Sequence, residues 1–194
     1  MLLVSRLLDI VENDIVPLTQ AGVRRGDKVF GGAVLRKDDG ALVTAGTNRE
    51  TECPLWHGEI STIKALHELP AKERPEPRQC LFLSTHEPCS MCLSAITWAG
   101  FDNFYYLFSY EDSRDDFAIP HDLRILDEVF KCPNGNYVGD NAYWQSHDIV
   151  KMADSLGQPE RHRFATRIAL LRTVYAEMSE IYQASKSGNE IPLA

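Results

Sequence analysis

Apolar residues recur along this chain with two different periods, and each change of period marks a change of element. Leu3, Leu7, Ile10 and Val11 fall at helical spacing ahead of Pro17, which predicts an opening amphipathic helix lying on one face of a sheet. Two apolar runs follow, Val29 to Leu35 and Ala41 to Ala45, on either side of Lys37-Asp38-Asp39-Gly40. An Asp-Gly step between two such runs predicts a β-hairpin. Helical spacing returns in Ile60, Ile63, Ala65, Leu66 and Leu69, closed by Pro70, and Cys80 to Ser84 reads as a buried strand. A helix running to Trp98 and a strand over Asn103 to Phe108 complete the regular part. Strand, helix, strand, helix and strand in this order predict parallel crossovers, with functional residues at strand ends.

From Glu111 to Val150 the pattern weakens to a short helix around Asp122 to Phe130 and the turn residues Pro133-Asn134-Gly135-Asn136 and Gly139-Asp140-Asn141. Long irregular segments of this kind often cover active sites. Phe164, Ile168, Leu171, Tyr175, Met178 and Tyr182 then alternate steps of four and three, the stripe of a long C-terminal helix.

Composition narrows the function classes. At 194 residues, 44% apolar and 25% charged, the chain reads as a single domain, 1–194, with one substantial core. Asp9, Glu12 and Asp14 interrupt the apolar start and no small-residue cleavage site follows, so neither a signal peptide nor a membrane span is expected. Five cysteines, an odd number, read as reduced thiols in a cytoplasmic protein. A formal charge of −8 repels phosphate backbones, which argues for small-molecule substrates and against nucleic acid. The local exception, Arg161-His162-Arg163 with Arg167 and Arg172, reads more simply as a solvated helix face than as an anion site.

The candidate chemistry lies in His57-Gly58-Glu59 and Pro88-Cys89-Ser90-Met91-Cys92. Imidazole nitrogen and thiolate sulfur hold Zn²⁺ well, and a catalytic site needs only three protein ligands because the fourth position is left for water. His57, Cys89 and Cys92 make three. Two thiolates cancel the charge of the metal, so ionising a water there needs a nearby base, and Glu59 is that base. The i, i+3 spacing puts both sulfurs on one helix face, Pro88 suits a helix start, and the first-turn N–H groups favour thiolate over thiol. The bland alternative is a structural zinc site with a fourth ligand from Cys53, Cys80 or His86; such sites commonly use two paired motifs, and only one is present.

The pattern H-x-E followed by P-C-x-x-C resembles the cytidine deaminase superfamily. The fuller run Thr85 to Ile96 resembles the E-P-C-x-M-C-x-G-A-I run of its guanine deaminase, tRNA adenosine deaminase and cytosine deaminase branch. The resemblance spans roughly residues 25 to 118 and leaves 119–194 as a lid-like segment and C-terminal helix. It implies an α/β fold, a three-layer α/β/α sandwich with a five-stranded mixed sheet, a homodimer or larger assembly, and one Zn²⁺ per chain. It further implies hydrolysis of an exocyclic amine on a purine or pyrimidine ring, with His57, Cys89 and Cys92 on the metal and Glu59 carrying protons from water to the ring and the leaving ammonia. Asn48 matches an asparagine that contacts the ring, and the Gly58 position offers a backbone N–H to substrate. Asp115 and Phe117 fall where related enzymes place substrate contacts. Two positions depart from the branch: Gly58 replaces a more usual alanine and Ser94 a more usual glycine. The reading is a cytoplasmic zinc aminohydrolase acting on a free purine base such as guanine, ahead of cytosine or a nucleoside. Its rivals are a deaminase acting on adenosine or cytidine in RNA, which needs a basic surface, and a non-catalytic zinc-stabilised binding protein.

Overall fold

The turn at Asp38-Asp39-Gly40 sets the sheet. Gly40 adopts φ +69°, a left-handed conformation that glycine takes without strain, and the chain folds back so that β1 (Gly31–Arg36) and β2 (Leu42–Thr47) pair antiparallel. In this computed structural model, which describes residues 2–193, β3 (Cys80–His86) adds antiparallel to β1. Next to it β4 (Asn103–Phe108) and β5 (Gln145–Asp148) add in parallel, giving the order β2-β1-β3-β4-β5. The expected five-stranded mixed sheet is therefore present. Its last strand, of only four residues, was invisible in the weak pattern after Glu111.

The alternation of side chains along β3 and β4 divides the core between the two faces. Leu81, Leu83, Tyr105 and Leu107 point to one cluster, and Phe82, Phe104 and Tyr106 to the other. The second cluster is closed by Leu66 of α3 (Gly58–Glu68) and by Leu93 and Ile96 of α4 (Ser90–Trp98). The first is closed by α1 (Leu3–Ile10), α2 (Val16–Arg25), α7 (Ile149–Asp154) and the long α8 (Glu160–Ser185), which gives the three layers. Two short helices, α5 (Tyr110–Asp115) and α6 (His121–Glu128), occupy the segment where a single helix was expected.

Pro17 does not end the opening helix. The ring lies in the first turn of α2, where a missing N–H leaves nothing unpaired, and a π-helical turn over Val11–Ile15 joins α1 to α2. Two arginines of α8 are struts: Arg167 Nη2 reaches Asp9 at 2.7 Å and Glu12 at 2.8 Å, and Arg172 binds Asp112 at 2.7 Å and Asp116, whereas Arg161 and Arg163 are exposed. Among the described residues no helix is long and apolar enough to cross a membrane.

Candidate metal centre and active site

Two helix starts converge on one point. His57 is the N-cap residue of α3 and Cys89 that of α4, both in extended conformation, and neither side chain caps its own helix. Their carbonyls accept the first bond of each helix, from Ser61 N at 2.9 Å and Leu93 N at 2.8 Å, and their side chains turn toward each other. Pro88 stands one residue outside the helix, so the first-turn position expected for it belongs to Ser90. His57 Nδ1 lies 3.5 Å from Cys89 Sγ and 3.7 Å from Cys92 Sγ. All three donor atoms fall within 4.8 Å of one another, the one such His/Cys/Asp/Glu group among the described residues.

This donor set fits zinc. With Zn–S and Zn–N bonds of about 2.3 and 2.05 Å at the tetrahedral angle, sulfur and nitrogen ligands stand about 3.6 Å apart. Neither Cys53, Cys80 nor His86 joins the group. His86 is buried among the rings of Phe30, Phe108, Phe117 and Tyr175, with Nδ1 on Thr85 Oγ1 at 3.0 Å. The bland alternative of a closed four-ligand site therefore has no fourth ligand among the described residues.

Glu59, in the first turn of α3, is buried beside the cluster. Ser84 Oγ of β3 donates to its Oε1 at 2.9 Å and Cys92 Sγ to its Oε2 at 3.2 Å. Burial raises its pKa above the carboxylate range, helped by the negative charge at Cys89 and opposed by His57. Cys89 is held well below the ordinary thiol value by the hydrogen bond from Cys92, whereas burial pushes Cys92 well above it. Burial works to lower His57, but the hydrogen bond with Cys89 and the charges of Cys89, Glu50 and Glu59 outweigh it and bring it to about 9. Negative charge at Cys89 thus draws protons onto His57, Glu59 and Cys92, the response of a site whose charge a cation would balance.

A cavity of about 320 Å³ opens onto the cluster. His57, Cys89 and Phe30 form one wall. Ile119, with His121, Asp122 and Ile125 from α6, forms another, and Ile191 and Leu193 reach in from beyond α8. Asp122 is pushed up to about 8 by burial and by the charge at Cys89.

The sequence-predicted site residues separate into two groups. His57, Glu59, Cys89 and Cys92 come together as described. Asn48 is fully buried, its Nδ2 donating to Glu50 Oε2 at 2.6 Å while Oδ1 has no partner. Gly58 is needed for packing: a Cβ there would fall 2.7 Å from Gly31 Cα, so its bareness admits the backbone of β1 and is not a gap for a ring. Asp115 and Phe117 stand apart from the cavity. Asp115 is exposed and paired with Arg114, in a groove against α8. Phe117 is a core residue whose carbonyl accepts from Ser179 Oγ at 2.7 Å. The capping box of α5, with Ser109 and Asp112 bonded reciprocally, directs the chain that way and carries both residues off the cavity. Asp122, His121, Ile119, Lys28 and Glu50 line the cavity without having been singled out, and of these Ile119, His121 and Asp122 lay in the segment that the sequence marked as a cover.

Both the fold and the metal-binding stretch have counterparts in known proteins. Residues 16–108 match the cytidine and deoxycytidylate deaminase zinc-binding region. Among curated proteins the chain is 35% identical over 103 residues to a guanine deaminase of Bacillus subtilis, a match covering 52% of this chain and 64% of that enzyme. It is 23% identical over 140 residues to a probable cytosine deaminase of Schizosaccharomyces pombe, covering 72% and 74%. A solved guanine deaminase from Nitrosomonas europaea has the same fold, with a TM-score of 0.51 at 19% identity over 94% of this chain and 85% of that one. The match thus spans somewhat under two thirds of the Bacillus enzyme's length.

Proposed function

We propose that this chain is a zinc-dependent hydrolytic deaminase that converts the exocyclic amine of a small heterocycle to a carbonyl with release of ammonia, a free purine base such as guanine being its substrate. The observation that carries the reading is Glu59, a buried carboxylate touching a His/Cys/Cys cluster that has no fourth protein ligand among the described residues. The 35% identity to a guanine deaminase supports the choice of purine.

His57 Nδ1 and the sulfurs of Cys89 and Cys92 hold the metal, which when bound supplies Lewis acidity and lowers the pKa of water. Zinc would be held by both sulfurs as thiolates, so Cys92 would no longer donate to Glu59 Oε2. Ser84 keeps its grip on Oε1, and Oε2 becomes the free oxygen of an anchored carboxylate. Glu59 would take a proton there from water and pass it to a ring nitrogen while the hydroxide bonds the amine-bearing carbon; it would then carry the proton of the new hydroxyl to the amine, which leaves as ammonia as the carbonyl forms. Its raised pKa suits both directions of transfer, because an acid–base group works best when its pKa nears the working pH. The N–H of Cys89 stabilises charge on the new oxygen. Asn48 keeps an unpaired buried acceptor, Oδ1, for a ring N–H. Asp122, Phe30 and Ile119 line the same cavity, where the carboxyl group would meet ring N–H groups and the apolar side chains would pack on the ring.

The same reading makes residues 1–194 a single domain that works as a homodimer in the cytoplasm. All five cysteines are unbonded, as suits a reducing compartment. Trp98, 90% exposed, and Tyr143, 70% exposed, offer apolar surface for a partner copy.

The test is ammonia release by the zinc-loaded protein across purines, pyrimidines, pterins and their nucleosides. Turnover is expected to be greatest with guanine. A zinc-loaded, folded protein that releases ammonia from none of them overturns the reading, and preference for cytosine replaces the purine while keeping the reaction.

A further inference from the structure

His57 presents two nitrogens to two different neighbours. Nδ1 faces the sulfurs of Cys89 and Cys92, and Nε2 lies 3.6 Å from Oε1 of Glu50. Glu50 is buried, and each of its oxygens is engaged. Oε1 also receives Lys28 Nζ at 2.9 Å, and Oε2 receives Asn48 Nδ2 at 2.6 Å. A carboxylate at the wall of the cavity thus touches a metal-ligand imidazole, a buried lysine and the asparagine whose other amide atom is left free.

Fold stability does not account for the Lys28–Glu50 pair. Both residues are less than one-tenth exposed, and withdrawing two charges from water costs about as much as their attraction returns, so an apolar pair of equal volume would serve the fold as well. The same pair has a definite consequence for His57. At 3.6 Å the Glu50–His57 contact is too long for a hydrogen bond, and its influence is electrostatic. A nitrogen lone pair aimed at a carboxylate is repelled and an N–H aimed there is attracted, so a neutral His57 carries its proton on Nε2 and leaves the lone pair of Nδ1 pointing at the sulfurs. Lys28 balances the charge of Glu50 and fixes its Oε1 in place.

The geometry points to Glu50 as a positioning residue: held by Lys28, it selects the metal-binding tautomer of His57 and turns Asn48 so that its carbonyl oxygen stays free. Glu50 acts through these two residues and takes no part in proton transfer. The inference rests on the reading of His57, Cys89 and Cys92 as zinc ligands.

The experiment measures zinc dissociation constants by chelator competition on the whole chain, with the apo melting temperature recorded for every variant. Glu50→Gln keeps an acceptor for Asn48 but loses the charge, and zinc binding is expected to weaken about 10- to 100-fold. Because Glu50→Gln strands a buried Lys28, the charge-neutral double variant Lys28→Met with Glu50→Gln is measured as well. It is expected to melt within a few degrees of the unaltered protein when apo and to show the same loss of zinc affinity. In the zinc-loaded unaltered protein the nitrogen shifts of the His57 ring should report a protonated Nε2, and the double variant should show a mixture of tautomers. A double variant that binds zinc as tightly as the unaltered chain overturns the role of Glu50. Cys89→Ser separates the two levels of the argument: if it binds zinc undiminished, or if the unaltered chain takes up none, the ligand reading falls and the role of Glu50 with it.

Discussion

The two walls of the cavity are built in opposite ways. The wall bearing His57 and Cys89, with Glu59 buried beside them, consists of helix starts seated directly on the sheet, so close that Gly58 and Gly31 meet without room for a Cβ. The other part of the lining, Ile119 to Ile125 with Ile191 and Leu193, belongs to the short helix α6 and to connections rather than to strands, although Ile119 itself joins the core. Chemistry that depends on tenths of an ångström sits on the rigid wall, and contacts that decide which ring is accepted sit on the wall that can be rebuilt without disturbing it. Changes on the first wall should therefore destroy turnover or stability outright, and changes on the second should alter selectivity.

The largest effect belongs to Glu59→Gln. The amide can still accept from Ser84 Oγ but cannot carry a proton, and kcat is expected to fall about 10²- to 10⁴-fold. Zinc content, measured by metal analysis, should be unchanged. Retained turnover would show that the rigid wall merely holds the ion.

His86 supplies the next effect, on stability. It stands behind the cysteine loop in its box of rings, and burial lowers its pKa to about 3 from an unfolded value near 6.5. The unfolded chain thus binds a proton that the folded one refuses. Stability is complete above about pH 6.5 and is lost as the pH falls toward 3, by about 2–3 kcal/mol at pH 4.5 from this group. Denaturant unfolding at pH 7 and pH 4.5 measures the loss, and His86→Phe should shrink it; an equal slope in both proteins would mean that other groups govern it.

Gly58→Ala tests the seating of the helix itself. The added methyl meets Gly31 Cα at 2.7 Å and the carbonyl carbon of Phe30 at 2.9 Å, backbone atoms that move only with the strand. A loss of about 1–3 kcal/mol is expected, read as a lower melting temperature of the apo protein. A neutral outcome would mean that β1 yields, and the rigid wall would then be less rigid than its packing implies.

The same contrast separates what could be read from the chain alone. On the sheet-bound wall the order of hairpin, helix, strand, helix and strand was legible because each element has a pure period, and the metal residues were legible because their spacing is set by one helix turn. Proline misled at Pro17, since periodicity cannot distinguish a helix end from a π-turn that absorbs the ring. On the other wall Asp115 and Phe117 were placed in the site from their position after β4, whereas the capping box at Ser109 carries them to the far side and brings Asp122 forward instead. Glu50 was missed for a related reason. It is an acid among charged neighbours in Arg49-Glu50-Thr51-Glu52, and nothing in that run distinguishes the one carboxylate buried against His57 from the exposed one paired with Arg49.

The smallest expected effect is also the most direct probe of the second wall. Ile125, half-buried on α6, faces the cavity without touching the metal cluster. Ile125→Ala removes apolar surface from the ring's surroundings and nothing from the proton path. About 1 kcal/mol of binding is lost, roughly fivefold in KM, while kcat, zinc affinity and the pH profile hold. Because a hydrophobic pocket discriminates weakly between rings of different size, the wider cavity should also narrow the ratio between purine and pyrimidine substrates. Steady-state kinetics on guanine and cytosine measure both. A fall in kcat equal to the rise in KM would mean that the two walls move as one unit, and the division between a wall for chemistry and a wall for choice would not hold.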